Sequence, residues 1–121
     1  MRLILIPAIA TFTLLLASLS AQNGAAGKAL FEKRCGGCHA VDRDKEGPRL
    51  AGVFGRTAAS LDSFQYSDAL KKSKIVWNEA TLDRWLTDPE KLVPGNDMTF
   101  HIEKPDERRE IISYLKQLTH K

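Results

Sequence analysis

The sequence predicts an all-α fold, in which a few helices are separated by long loops. Apolar residues recur at helical spacing in several separate stretches, and the stretches between them are rich in Gly and Pro and lack this periodicity. After residue 21, no stretch shows the alternating Val, Ile and Thr pattern of a β-strand. The 121 residues contain no internal repeat and are too few for two comfortable cores, so one domain is expected.

Residues 1–21 have the features of a secretory signal peptide. One positive residue precedes an apolar run, and small and polar residues follow it. The alternative is a membrane anchor, because a run of this length nearly spans a bilayer. Pro7 and the small, polar end of the run favour cleavage near Ser20 or Ala21, which leaves residues 22–121 as a single domain.

Loss of the leader would take away Arg2, so the net charge falls from +3 to +2. This charge is too small to predict binding to nucleic acid or to a membrane surface. A chain of this length buries a modest share of its surface, and its aromatic residues are scattered among charged ones. A large apolar cofactor would therefore complete the core.

The first helix is predicted where Gly27, Leu30, Phe31 and Arg34 recur at helical spacing, and it ends in the cysteine segment. Residues 40–60 contain several glycines and a proline, and they predict a long loop. Such a loop in a compact domain needs something to pack against.

Two further helices are predicted in the middle of the chain. The first runs from Ser67 to Lys72, with Ser67 as its N-cap. The second opens at Asn78 and is halted by Pro89, and three apolar residues share one of its faces: Leu82, Trp85 and Leu86. Lys91 to Phe100 is predicted to be a loop.

The last helix has the clearest pattern. Pro105 suits its first position, and acidic residues follow it at the positive end of the helix dipole. Its apolar stripe consists of Ile111, Tyr114, Leu115 and Leu118.

The segment Cys35-Gly36-Gly37-Cys38-His39 carries the chemistry. Its spacing lets two thiols on one turn form thioethers with the two vinyl groups of a haem, and the adjacent His39 projects toward the iron as an axial ligand. The two glycines lack side chains that would collide with the porphyrin edge. The motif therefore predicts one covalently attached haem c.

Three other uses of this segment are weaker. A thioredoxin-like dithiol belongs in a βαβ context that this chain lacks. A zinc site would need a further ligand, such as His101 or His120, and usually has a second Cys/His pair. A disulfide across so short a loop would stabilise the fold little.

A haem iron with one histidine ligand needs a second ligand or an open site. Met98 is the one methionine left once Met1 departs with the leader, and it lies in a polar, non-helical stretch where a core methionine is unexpected. A thioether is a soft ligand that favours ferrous iron. His101 is the rival ligand.

Over residues 24–118 the chain resembles the class I cytochromes c, above all the bacterial cytochrome c2 and mitochondrial branch. The resemblance rests on a series of motifs in the same order: Gly27 and Phe31 before Cys35–His39, Gly47-Pro48-Arg49-Leu50, Gly52-Val53-Phe54-Gly55-Arg56, Phe64-Gln65-Tyr66-Ser67-Asp68-Ala69, Trp77, Pro94-Gly95-Asn96-Asp97-Met98-Thr99-Phe100, Glu107-Arg108 and Tyr114-Leu115-Lys116.

The resemblance implies roles for several residues. Pro48 would offer its carbonyl to the axial histidine, and Arg56, Tyr66 and Trp77 would surround a haem propionate. Phe100 would lie over the haem edge. In addition, Gly27 and Phe31 would pack against the last helix, where the glycine allows close approach.

The chain departs from this branch near the methionine ligand. Leu70 stands where a polar Asn is usual, Trp85 stands where a Tyr often reaches the ligand sulfur, and Asn96 replaces a common Thr but can still donate a hydrogen bond. The first two changes make the pocket more apolar, so the reduction potential should differ from that of relatives.

The resemblance implies a small cytochrome c fold around one haem c and a monomeric carrier of single electrons, not an enzyme. The predicted signal peptide indicates a bacterium and, together with a segment between His39 and Pro48 that is shorter than in mitochondrial members, favours a periplasmic carrier. Its partners would be redox proteins such as a bc1-type complex, a terminal oxidase, a photosynthetic reaction centre or a periplasmic dehydrogenase. One alternative is a haem protein with a labile sixth ligand that turns over peroxide or binds a gas. Another is a cytochrome subunit anchored to the membrane by an uncleaved leader.

Overall fold

The computed structural model describes residues 3–4 and 24–118. The signal peptide predicted over residues 1–21 therefore lies almost entirely outside the described residues. Within the described part there are five helices: α1 through residues 24–34, α2 at Asp68–Ser73, α3 at Glu79–Thr87, α4 at Pro89–Leu92 and α5 at Pro105–Gln117. These residues contain no strand beyond an isolated antiparallel bridge between Thr57 and Val76, which confirms the all-α prediction. No helix among them has the length and apolarity needed to cross a membrane.

The caps of α2 and α3 lie where the sequence predicts them. The Ser67 hydroxyl accepts the Leu70 N–H at 3.1 Å. Asn78 and Thr81 form a reciprocal capping box, with each side chain accepting the backbone N–H of the other at 2.8–2.9 Å. A cap of this kind stabilises a helix by about 1 kcal/mol, so both starts are fixed by local sequence.

The prediction of a loop from Lys91 onward is wrong at its beginning. Pro89 ends α3, but it also takes the first position of α4, where the missing N–H costs nothing. The Asp88 carboxylate caps this single turn by accepting the Lys91 N–H at 3.1 Å. The remainder of the predicted loop, from residue 93 to residue 100, contains no helix.

Helices α1 and α5 cross in close contact. A Cβ on Gly27 would lie 2.5 Å from the Glu110 carbonyl oxygen and 2.9 Å from Tyr114 Cβ, so no larger residue fits. One turn later, the rings of Phe31 and Tyr114 lie 5.4 Å apart. The packing that the resemblance implies for Gly27 and Phe31 is thereby confirmed.

The core lies between α1, α3 and α5 and the loops that cover them. Its aromatic centre is the pair Trp77 and Trp85, whose rings lie 5.3 Å apart. Helix α5 buries Ile111, Ile112 and Leu115, which confirms the predicted stripe and adds a position to it.

One buried charge is not visible in the sequence pattern. Arg108 on α5 is only 8% exposed. Its Nε donates to Asp83 at 2.8 Å, and its Nη1 donates to the carbonyls of Ile102 and Glu103 at 2.8 and 3.0 Å. The guanidinium therefore ties α5 to α3 and to the chain segment that precedes α5.

Candidate functional site

The two cysteines lie on the turn that ends α1. The N–H groups of Cys35 and Gly36 both donate to the Phe31 carbonyl, and those of Cys38 and His39 both donate to the Cys35 carbonyl. These four bonds wind the chain tightly through the motif. A Cβ on Gly36 would lie 2.5 Å from the Glu32 carbonyl oxygen, so the tight turn requires a glycine there.

The two thiols are free, and their environment does not suit redox chemistry. Burial, together with the neighbouring Cys38, raises the pKa of Cys35 to about 11. A reactive dithiol needs the opposite shift, because the thiolate is the nucleophile. The exposed Cys38 thiol donates to Glu46 at 3.5 Å, and the two sulfurs are not joined in a disulfide.

The ring of His39 is held from two directions. Its Nδ1 lies 2.8 Å from the carbonyl oxygen of Pro48. A carbonyl only accepts, so the proton is on Nδ1 and the lone pair of Nε2 is available to a metal. Burial, the largest influence, lowers the pKa of His39 and favours this neutral form.

Gly47 supplies the second contact with the ring. A Cβ at this position would lie 2.3 Å from Cε1, 2.6 Å from Nδ1 and 2.7 Å from Nε2 of His39. The Gly47 N–H in turn donates to the Cys38 carbonyl at 2.8 Å, and the Lys45 ammonium donates to the Gly36 carbonyl at 2.8 Å. The contact between Gly47 and the His39 ring was not predicted from the sequence, where Gly47 is only part of a motif. The position of this glycine directly before Pro48 was the one sequence feature that indicated it.

Arg56, Tyr66 and Trp77 come together as the resemblance implies. The Trp77 N–H donates to the Arg56 carbonyl at 2.9 Å, and both Tyr66 and Trp77 are buried. The Arg56 guanidinium donates to the carbonyls of Arg49 and Ala51 at 3.2 and 3.3 Å. It has no ion pair within residues 24–118, and burial lowers its pKa.

The loop that carries Met98 is organised by Asn96. The Asn96 amide group donates to the Val93 carbonyl at 2.9 Å, and its oxygen accepts the Met98 N–H at 2.7 Å. The side chain that was expected to donate a hydrogen bond thus donates to the backbone. Met98 is half-buried against the core, and Phe100 is 41% exposed.

His101, the rival axial ligand, is exposed and lines a small cavity. This cavity has a volume of about 200 Å³ and is also lined by Arg34 and Glu107. No group of three or more His, Cys, Asp or Glu side chains within the described ranges is arranged to hold a metal ion. His120, the other proposed zinc ligand, lies outside them.

Comparison with known proteins agrees with this geometry. The sequence model of the family described as Cytochrome c matches residues 24–119. The chain belongs to the cytochrome c family.

Similar proteins come from algae and bacteria. Cytochrome c of Chlamydomonas reinhardtii is 40% identical over 107 residues, which cover 85% of this chain and 96% of that one. Cytochrome c2 iso-2 of Magnetospirillum molischianum is 44% identical and covers 69% of this chain and 90% of its own. The solved structure of cytochrome cH from Methylobacterium extorquens superposes with a TM-score of 0.74 at 44% identity, covering 78% of this chain and 97% of that one.

As a member of this cytochrome c family, the chain is an electron carrier and not an enzyme. It has one haem c, attached through Cys35 and Cys38. The residues fit this group. The two sulfurs are unpaired on one tight turn, and the half-buried Arg56 offers a cation to an anionic propionate.

The two apolar departures from the family pattern, Leu70 and Trp85, both belong to the hydrophobic core. Leu70 is partly buried against it, and Trp85 is 8% exposed with its ring tilted by 58° against that of Trp77. Within the described part of the chain, no side chain donates a hydrogen bond to the Met98 sulfur.

Proposed function

We propose that His39 and Met98 are the two axial ligands of the haem iron and that the mature chain, residues 22–121, is a soluble, monomeric, periplasmic one-electron carrier. Residues 1–21 would direct export and be cleaved near Ser20 or Ala21. The observation that carries the ligand assignment is the hydrogen bond from His39 Nδ1 to the Pro48 carbonyl, which leaves Nε2 unprotonated.

The side chains around the site have separate tasks. His39 and Met98 would stay bound in both oxidation states, so little of the protein would rearrange when an electron moves. Arg56, Tyr66 and Trp77 would neutralise and hydrogen-bond a propionate. The exposed ring of Phe100 would lie at the haem edge, where the electron enters and leaves. When bound, the haem supplies the one-electron chemistry, and the chain sets its potential by ligation, burial and hydrogen bonding.

The partners would be other redox proteins of the periplasm. The candidates are a bc1-type complex, a terminal oxidase, a photosynthetic reaction centre and a periplasmic dehydrogenase. The net charge of +2 is further reduced by two propionates, so long-range electrostatic steering would be modest. Short-range contacts would therefore contribute much of the specificity.

Visible spectra of the exported protein, together with a pyridine haemochrome assay, test the ligand assignment. We expect low-spin ferrous bands of covalent haem and a weak ferric methionine–iron band. That band should vanish in Met98→Ala and persist in His101→Ala. Loss of the band in His101→Ala alone would reverse the assignment.

The second candidate function is peroxide turnover or gas binding at a haem whose sixth ligand is labile. It is favoured by the departures Leu70 and Trp85, which are apolar core residues, and by the lack of any hydrogen bond to the Met98 sulfur from the side chains that the structure describes. A high-spin ferric spectrum and rapid cyanide binding at neutral pH would support peroxide or gas chemistry instead of electron transfer.

The export proposal has a separate test. Mass spectrometry of the native protein should give the mass of a chain that begins near Ala21 or Gln22, plus one haem. A mass that includes Met1 would show that the leader is kept as an anchor.

A further inference from the structure

A shallow apolar groove lies between α2 and the start of the loop that carries Met98. Its volume is about 460 Å³. The side chains that form its apolar walls are Ala69 and Ile75 on one side and Leu92, Val93 and Pro94 on the other. Val76, which follows Ile75 in the chain, is 47% exposed.

Three lysines accompany this surface. Lys72 lines the groove, and Lys71 and Lys74 are its exposed neighbours in the chain. None of the three ammonium groups makes a hydrogen bond or an ion pair with any residue in the part of the chain that the structure describes. Their charge is therefore open to an external partner.

Stability alone explains only two of these lysines. Lys71 and Lys72 lie in the last turn of α2, where positive charge suits the helix dipole. Lys74 caps the helix in the left-handed conformation, with φ of 56°. Glycine adopts that conformation at lower cost. Stability would therefore favour glycine at position 74, and it does not explain the lysine.

The acidic groups on the same elements form no ion pair with these three lysines. Asp68 lies one helical turn before Lys71 and Lys72 on α2. Asp88 and Glu90 on the other side accept the backbone N–H groups of Lys91 and Gly95. Asp97, in the loop beyond, is exposed. The positive charge is therefore concentrated at residues 71–74.

We infer that this surface, the α2 groove, docks an acidic protein segment that carries an apolar anchor. It comprises the apolar walls named above together with Lys71, Lys72 and Lys74. The walls would take one or two apolar side chains, and the lysines would pair with carboxylates that flank them.

Docking at the α2 groove would contact the Met98 loop directly. Ala69 is the close neighbour of this loop, since a Cβ on Gly95 would lie 3.6 Å from Ala69 Cβ. Val93, a wall residue, accepts the hydrogen bond from Asn96, and Asn96 accepts the Met98 N–H. A partner that contacts Val93 would thus be linked to Met98 through a single residue, Asn96, which is hydrogen-bonded to both.

The probe for this inference is a synthetic twelve-residue peptide, rich in Glu, with two Leu residues four apart. It is titrated into the ¹⁵N-labelled ferrous holoprotein, and amide chemical shifts are followed. We expect the shift changes to cluster at residues 69–76 and 92–98. A peptide with Ser in place of both Leu should bind about tenfold more weakly, since it keeps the charge and loses the anchor.

Charge reversal tests the lysines. The double variant Lys71→Glu/Lys72→Glu should weaken binding about tenfold or more. The control, Lys28→Glu/Lys33→Glu, changes the net charge equally at exposed lysines of α1 and should change the affinity less than about twofold. Unchanged visible spectra would show that both variants keep the fold and the haem.

Three results would overturn the inference. The shifts could map elsewhere on the protein, the two double variants could lose affinity equally, or the Ser peptide could bind as well as the Leu peptide. Binding to anionic lipid vesicles through residues 71–74, without binding of the peptide, would replace the protein partner by a membrane. None of these results depends on the identity of the axial ligands.

Discussion

The two sides of the haem site are held in different ways. On the His39 side, residues 35–48, the turn is closed by successive backbone hydrogen bonds, and the ring lies between the Pro48 carbonyl and Gly47 with no space for one more carbon atom. All of these contacts lie within one short stretch of chain, so the side chain that would bind iron has a single position.

On the Met98 side, residues 93–103, the loop depends on fewer contacts. The Asn96 side chain makes two hydrogen bonds within it, the Glu90 carboxylate accepts the Gly95 N–H, and Arg108 fixes its far end from α5. The comparison indicates that the His39 side is rigid and fixes the position of its proposed ligand. The Met98 side is held by fewer contacts, so substitutions there should weaken or remove the proposed ligation more easily.

The strongest test of the rigid side is Gly47→Ala. The added carbon would lie 2.3 Å from Cε1 of His39, and the ring could escape only by breaking its hydrogen bond to Pro48 and giving up the position proposed for the iron ligand. We expect the free energy of unfolding to fall by about 3 kcal/mol, at the upper end of overpacking costs, with a disturbed haem spectrum. Denaturant unfolding of the holoprotein, followed by absorbance, measures both.

Gly24→Ala is the matched control. Its Cβ would meet only the flexible end of Gln117, at 3.4 Å, so stability and spectrum should be unchanged. If Gly47→Ala were equally harmless, the close contact between Gly47 and the His39 ring would not be what holds the ring in place.

The far end of the Met98 side should be weakened by Arg108→Leu. This change leaves the carbonyls of Ile102 and Glu103 without their donor and removes the bond to Asp83. We expect a loss of about 2 kcal/mol in unfolding free energy with little change in the His39 side.

Arg109→Leu provides the comparison for Arg108→Leu, because Arg109 is exposed on the same helix and, among the residues that the structure describes, pairs only with Asp106. The free energy of unfolding should fall by about 0.3 kcal/mol in this variant. Equal losses in the two variants would show that the buried position of Arg108 has no special importance.

Asn96→Ala sharpens the contrast between the sides. It removes both hydrogen bonds that the Asn96 side chain makes in the Met98 loop, so we expect a loss of about 1 kcal/mol. The ferric methionine–iron band should disappear at a lower temperature than in the unaltered protein, while covalent attachment persists. Asn96→Asp keeps the acceptor for the Met98 N–H, and its band should persist to an intermediate temperature.

Much of this molecule was predictable because its signals are local. The caps Ser67 and Asn78, the start of α5 at Pro105 and the cysteine–histidine turn each follow from residues a few positions apart. The extra turn at Pro89 was missed because proline both ends one helix and starts another.

Contacts between distant residues were less accessible. The partners of Arg108 include Asp83, 25 positions away, and those of Arg34 include Glu107, 73 positions away. Sequence periodicity does not encode such pairs. Likewise, Gly47 could be recognised as a turn residue, but its contact with the His39 ring depends on how the loop folds back.

The smallest effect concerns the ion pair between Arg34, at the end of α1, and Glu107, on α5. Two hydrogen bonds of 3.0 and 3.1 Å join these side chains, and this bonding holds the pKa of Glu107 below its usual 4.5. A carboxyl whose pKa is lower in the folded state stabilises the fold above the unfolded value, and that contribution is lost as the pH falls through the folded value. Glu107→Gln should therefore be less stable than the unaltered protein at neutral pH, and the difference should close below pH 4.5.

Thermal unfolding measured across this pH range, with Glu103→Gln as the control, tests the pair. Glu103 is exposed on the segment just before α5 and has no ion pair within residues 24–118, so its variant should follow the unaltered protein at every pH. High salt should shrink the effect of Glu107→Gln, because the pair is partly exposed. A difference that stayed constant down to acidic pH would mean that Glu107 acts through packing and not through its charge.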